Sequence, residues 1–311
     1  MKLSLLKIAG IVGLSVAATL AGVNLMSDDE KEIRRKVEHK YAVADPQFLR
    51  TMGALLGPPL QAGNRAETLL NGDQIFPAML SAIRAATRTI TFETYIYWSG
   101  TVGKEFADAL SERARAGVRV HILIDWVGSQ KMEEALLEQM RQSGVEIHKY
   151  HPLRWYTIDR INNRTHRKLL VVDGRVGFTG GVGIADEWSG NAQDPGHWRD
   201  THYRLEGPAV AHMQAAFLDN WMKVSGVVLD GEAYFPRLEP NGPHIAQMFR
   251  SSAQGGAESM HLMYLLSVAA ATNSIDLAMA YFVPDEVALE ALEAALGRGV
   301  RVRIIMPGPI T

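Results

Sequence analysis

His166 and Lys168 stand two residues apart at the head of His166-Arg167-Lys168-Leu169-Leu170-Val171-Val172-Asp173-Gly174. On an extended chain side chains alternate, so both project to one side and set an imidazole beside an ammonium. That pair suits phosphate: the lysine neutralises non-bridging oxygens, and the imidazole can attack phosphorus or move a proton. Arg154, Arg160, Arg164 and Arg167 add positive charge around the same stretch. Gly180-Gly181-Val182-Gly183 leads into Ile184–Trp188 and can offer backbone N–H groups to an anion. The bland alternative is a histidine that serves only as a structural hydrogen-bonding residue. A His-x-Lys-x4-Asp match also arises by chance in roughly a few per cent of chains this long. Strand context, the glycine turn and the arginines favour chemistry.

The elements that must carry these residues are legible. Leu169–Val172 reads as a buried strand, and Asp173-Gly174 as the tight turn after it. Thr89–Tyr97 alternates as a strand, with Ile90, Phe92 and Ile96 on one face and Glu93, Tyr95 and Tyr97 on the other. Gly103–Ala116 reads as a helix through Phe106, Leu110 and Ala114, stopped by Gly117. Val118–Ile124 is the next strand, and the crossover length makes a parallel unit. The pattern returns: Ala271–Phe282 matches Ala86–Tyr97, Glu286–Leu296 supplies the helix, and Gly299-Val300-Arg301-Val302 repeats Gly117-Val118-Arg119-Val120. The offset is 185 residues before the helix and 182 after it, which points to duplication.

Composition bounds the rest. The chain has 311 residues, 47% of them apolar, with 32 Lys and Arg against 34 Asp and Glu and no cysteine. That supports a packed core and excludes a disulfide framework, a Cys-ligated zinc site and a thiolate nucleophile. A net charge of −2 argues against a globally basic nucleic-acid binder. Lys2 and Lys7 precede the uncharged run Ile8–Ser27, long enough as a helix to span a bilayer core. It reads as a retained anchor in preference to a cleaved signal peptide, since Thr19-Leu20-Ala21 makes a poor cleavage site. Orientation stays open: Lys31, Arg34, Arg35, Lys36 and Lys40 outnumber the leading lysines, while a signal-like start argues the other way.

His166-x-Lys168-x4-Asp173 followed by Gly180-Gly181 resembles the HKD motif of the phospholipase D superfamily. Phe92–Tyr97, Ile124–Ser129, Asn163–Lys168, Gly180–Trp188, Trp198–Thr201 and Gly207–Val210 resemble the bacterial cardiolipin synthase branch, in order and at compatible spacing. The resemblance covers roughly Gln74 to the C-terminus. It implies a duplicated αβ sandwich with mixed, largely parallel sheets and flanking helices, the second half incomplete, preceded by a transmembrane or signal helix. The expected divisions are an anchor or signal segment (1–30), a connecting segment (31–70), a first half with the motif (71–226), a linker (227–242) and an incomplete second half (243–311).

The implied chemistry is phosphodiester exchange without metal or cofactor, through a phosphohistidine. On this chain His166 is then the nucleophile and Lys168 the phosphate clamp. Asp173 is a structural acid holding the motif's loop, and Asp200 matches a position that orients the imidazole. Arg164, Arg167, Gly180, Gly181 and Glu93 fall to substrate binding. The implied substrates are phospholipids at a bacterial inner membrane, phosphatidylglycerol above all, with no nucleic acid. Hydrolysis by the same chemistry, on lipid or nucleic acid, is the competing reading, and a degenerate membrane scaffold is a third. Gly183 departs from the pattern, since many members have Asn there. The mechanism also calls for two motifs, and no other histidine here begins an HxKx4D. The chain is therefore expected to hold half an active site and to be inactive alone. Trp155-Tyr156 fits either a membrane-interface loop or core packing, while Trp188, Trp198 and Trp221 are assigned to packing.

Overall fold

The computed structural model describes residues 10, 12–16, 18, 19, 33, 35–152, 164–250 and 257–308. Most of the Ile8–Ser27 run lies outside them, as do Arg154, Trp155, Tyr156 and Arg160. No helix among the described residues is long and apolar enough to cross a membrane.

Two compact units emerge, one of Ala44–Ser259 and one of Met260–Thr311 with the N-terminal residues up to Val43. In the larger unit, helix α1 (Pro46–Leu55) is capped by Asp45, whose carboxylate accepts from the Gln47 N–H at 2.7 Å. There follow β1 (Gln61–Leu70), α2 (Asn71–Ala85), β2 (Thr89–Thr94), α3 (Thr101–Arg115), β3 (Arg119–Asp125), α4 (Glu134–Gln142) and β4 (Glu146–Tyr150). Beyond the undescribed stretch come β5 (Leu169–Val172), β6 (Val176–Gly180), β7 (Thr201–Glu206), α5 (Val210–Ser225) and β8 (His244–Ala246). The strands form one sheet in the order β4-β3-β2-β5-β6-β7-β1-β8.

Two apolar layers sandwich that sheet. Ile90, Phe92, Ile122, Leu170 and Phe178 bury against Phe76 of α2 and Phe106 of α3 on one face. Leu123, Leu169 and Val171 bury against Phe217 and Trp221 of α5 on the other. The period of two along each strand divides its residues between the layers.

The expectation of largely parallel sheets is corrected here. Within this eight-stranded sheet only β2–β3 and β3–β4 are parallel; its other five pairings are antiparallel. The β2–β5 pairing starts that change, and the hairpin after β5 continues it. Asp173 and Gly174 both take positive φ, +52° and +64°, and the Arg175 N–H closes on the Val172 carbonyl at 2.9 Å. That is the type I′ geometry whose twist matches antiparallel strands. Residues 61–70, expected in a connecting segment, form β1, next to the edge strand of the antiparallel half; their weak alternation hides the strand.

A second difference lies in Thr89–Tyr97. The strand ends at Thr94, the chain bends at Tyr95, and Tyr97 turns into the same core as Ile90 and Phe92. Its hydroxyl donates to the Gly103 carbonyl at 3.0 Å, which rewards the switch of face.

The smaller unit carries α6 (Ala257–Ala270, which starts in the larger unit), β9 (Ser274–Ala278), α7 (Glu286–Gly297) and β10 (Arg301–Ile305). β9 and β10 are parallel, with Ser274 opposite Arg301. In the larger unit Thr89 stands opposite Arg119. Both pairs are related by the sequence offsets of 185 and 182, so the repeat is structural down to the strand register.

Candidate active site

The ladder between β2 and β5 has Glu93–Leu169 as its last pair. Residues 164–168 run on past it without strand pairing. Alternation persists there, and it sorts the motif. His166 and Lys168 project outward, while Thr165 and Arg167 turn towards α5.

Lys168 Nζ lies 3.1 Å from His166 Nδ1 and 3.3 Å from Nε2, and it donates to the His166 carbonyl at 3.0 Å. Burial, and then the Lys168 charge, hold His166 below its ordinary pKa. The imidazole is therefore neutral at pH 7 and keeps a lone pair for attack. Burial brings Lys168 down to about 8, opposed by the negative charge of Asp200. It remains mostly cationic near neutral pH, as a phosphate clamp requires. Tyr95, at the bend after β2, sets its ring 4.8 Å from the His166 ring and 5.5 Å from Lys168 Nζ. The sequence reading gave Tyr95 no role in the site, because the alternation of Thr89–Tyr97 does not reveal the bend that turns it there.

The glycine pair works differently from expectation. Gly180 lies opposite His202, and a Cβ on it would come 2.5 Å from His202 Nδ1. A Cβ on Gly181 would come 2.1 Å from Asp200 Oδ1, and its N–H is already given to the Thr201 carbonyl at 3.2 Å. These glycines make room for an imidazole and a carboxylate. A Cβ at Gly183 would sit 2.8 Å from Ile96 Cβ, so the Asn found in many relatives of the motif has no space here.

His202 is the second residue that sequence reasoning missed. It is buried, and burial followed by the Lys168 charge lowers its pKa to about 4. Continuing the β5–β6–β7 register by one residue puts Lys168, Gly180 and His202 in one row across the sheet.

Asp200, Arg164, Arg167 and Glu93, also expected in the site, make contacts of their own. Asp200 was read as the imidazole's orienter, yet its carboxylate accepts from Trp188 Nε1 at 3.0 Å and the Thr201 N–H at 2.7 Å. Its charge acts on Lys168. Arg164 and Arg167 were read as substrate ligands. Arg167 instead donates to the Ala216 carbonyl at 2.7 Å and lies 3.8 Å from Asp219, and Arg164 is 3.7 Å from the buried carboxylate of Asp125. Glu93 is fully buried on the α5 side of the sheet. Trp188 and Trp221 pack as expected, whereas Trp198 is 43% exposed with its ring 4.6 Å from that of Trp188.

Asp173 sits at the far end of β5 from His166. Its carboxylate accepts from the N–H groups of Thr87, Arg88 and Thr89 at 2.8–2.9 Å and from the Thr87 hydroxyl at 2.8 Å. Burial opposes the charge, but the Thr89, Thr87 and Arg88 donors outweigh it and hold the pKa below the ordinary value. Asp173→Ala leaves those donors unpaired, and the expected loss is about 3 kcal/mol in urea unfolding.

Burial pushes Glu93 up from 4.5 to about 7, against the Thr165 hydrogen bond, the Arg167 charge and the Asn220 hydrogen bond. The folded chain thus holds a proton that the unfolded chain releases, so stability falls as pH rises from 4.5 to 7. A shift of that size corresponds to roughly 3 kcal/mol. Glu93→Gln cannot titrate. Urea midpoints at pH 5 and pH 8 are expected to fall less in this variant than in the parent chain.

Comparison with known proteins places this geometry. The family described as cardiolipin synthase, PLD-like domain matches residues 79–193 and 265–311. The chain is 35% identical over 286 residues to cardiolipin synthase 2 of Bacillus cereus, covering 90% of this chain and 54% of that protein. It is 32% identical over 289 residues to cardiolipin synthase A of Pseudomonas putida, covering 93% and 59%. The chain spans about half the length of the curated relatives it matches. Among solved structures, phosphatidylserine synthase of Haemophilus influenzae Rd KW20 shares the fold, with a TM-score of 0.59 at 14% identity, over 84% of this chain and 65% of that one. The two matched segments fall one in each copy of the repeat, and by them the chain belongs to the phospholipase D-like family of cardiolipin synthases.

Proposed function

We propose that this chain supplies the nucleophilic half of a phosphatidyltransferase that makes cardiolipin from two molecules of phosphatidylglycerol at a bacterial membrane. The observation that carries the reading is an exposed His166 whose ring nitrogens lie 3.1 and 3.3 Å from Lys168 Nζ. The His166 lone pair attacks the phosphorus of one phosphatidylglycerol while Lys168 neutralises the non-bridging oxygens. The bond from phosphorus to the departing glycerol breaks, and that oxygen takes a proton from a general acid. A glycerol hydroxyl of the second phosphatidylglycerol then gives its proton to the same group and attacks the phosphohistidine, which restores the free imidazole. The acid is assigned to the histidine of a second HxKx4D motif, which this sequence does not contain. Ile8–Ser27 is assigned to holding the chain at the membrane.

Vesicles containing labelled phosphatidylglycerol test the reading, with a second motif supplied in the same chain or in trans. Thin-layer analysis is expected to show cardiolipin and an equal amount of released glycerol. Phosphatidic acid as the sole product would replace transfer with hydrolysis. Cleavage of single-stranded DNA in chelator, with lipid untouched, would replace the substrate class.

A further inference from the structure

The stretch that carries the proposed nucleophile has lost its backbone ladder, and side chains hold it in place. Thr165 is gripped twice. Its N–H donates to Asp125 Oδ2 at 3.1 Å, and its hydroxyl donates to Glu93 Oε1. Asn220 of α5 donates to the same Glu93 oxygen at 2.7 Å and lies 3.3 Å from the Thr165 hydroxyl. Asp125 is itself locked, since its Oδ1 accepts from the N–H groups of Val127 and Gly128. Glu93, Asp125, Thr165 and Asn220 are all buried. The charged groups facing this cluster are Arg164 on Asp125, Arg167 from the motif segment, and Asp219 from α5, itself paired with Arg250. Tyr150 of β4 also feels the charges of Glu93 and Asp125.

We propose that Glu93 is a positioning residue for phosphatidyl transfer, which with Asp125 clamps Thr165 and thereby fixes where His166 presents its imidazole. The proposal rests on the reading of His166 as nucleophile. Glu93 never touches substrate; it acts one residue away. Two strands meet in this clamp, since Glu93 is the penultimate residue of β2 and Asp125 the last of β3. The clamp is particular to this copy of the repeat: the offsets carry Glu93 to Ala278 and Asp125 to Pro307, neither of which has a side-chain hydrogen-bond acceptor. Burying two carboxylates next to one threonine is costly unless they are used, and a displacement of about 1 Å at a nucleophile costs on the order of 10²-fold in rate.

The test compares Glu93→Ala, Glu93→Gln, Thr165→Val and the double variant Glu93→Ala with Thr165→Val. Glu93→Ala and Thr165→Val are each expected to lower kcat for cardiolipin formation at least tenfold with KM within twofold, and the double variant to be no worse than either. Glu93→Gln keeps an acceptor oxygen and is expected to recover most of kcat. The second readout is the His166 imidazole resonance of the 311-residue chain, assigned by its loss in His166→Ala. Glu93→Ala and Thr165→Val are expected to shift it, and Glu93→Gln to restore it. An unshifted resonance, or additive losses in kcat, overturns the proposal. If the parent protein makes no cardiolipin, the functional reading fails, and the resonance alone still decides whether Glu93 positions His166. Thr165→Val removes only a hydroxyl, so it keeps the test decisive should Glu93→Ala fail to fold.

Discussion

His166→Ala is expected to remove cardiolipin formation, by about 10⁴-fold or more, while leaving the fold in place. No other side chain beside the motif can form the covalent intermediate: Lys168 is cationic at neutral pH, and His202 is buried behind Gly180. The fold tolerates the change because the imidazole projects outward. The chain around it is pinned through Thr165 and Arg167, which point the other way. Loss of an outward side chain costs about 0.5 kcal/mol, so the thermal midpoint should move by only a few degrees. Initial rates on phosphatidylglycerol vesicles, with circular dichroism melts of both chains, check the two halves of the statement. Retention of more than about one per cent of the rate, in a preparation free of parent enzyme, removes His166 from the mechanism.

Lys168 carries the second large effect, and it has a pH signature. Lys168→Ala is expected to lower the rate by ~10²–10³-fold, the usual range for losing a charge aimed at the transition state. In the parent enzyme kcat/KM is expected to rise as His166 loses its proton, below the ordinary histidine value of 6.5, and to fall as Lys168 loses its own near 8. The signs follow from the roles: attack needs neutral imidazole, and neutralisation of phosphate needs the ammonium. Lys168→Arg keeps its charge far above pH 8, so its profile should lose the alkaline limb even where its rate is reduced. A limb that stays near pH 8 in the arginine variant would assign it to another group. Profiles of kcat/KM between pH 5 and 10 decide.

How much of this was legible beforehand differs by element. The strand–helix–strand units were readable because apolar periodicity is a local property, and both appear with Thr89 opposite Arg119 and Ser274 opposite Arg301. The Asp173-Gly174 turn was readable because only a few residue pairs accept positive φ twice. β1 was not, since four successive exposed residues interrupt its pattern. The sheet's antiparallel majority was not readable either, because pairing partners are chosen between segments far apart in sequence.

The amino-acid sequence by itself determined the chemistry on offer: an imidazole and an ammonium at a spacing of two, a repeat, and the family to which they belong. Those are matters of residue type and local order. Tertiary structure alone decided who serves the pair. Arg164, Arg167 and Glu93, read as substrate ligands, are turned inward to hold the motif. Gly180 and Gly181, read as an anion cradle, clear space for His202 and Asp200. Tyr95 reaches the site only because the strand bends there. The physical reason is the same in each case. Alternation says that neighbours on a strand face opposite ways, but which way is the active site depends on the layer packed behind, and α5 comes from a distant part of the chain.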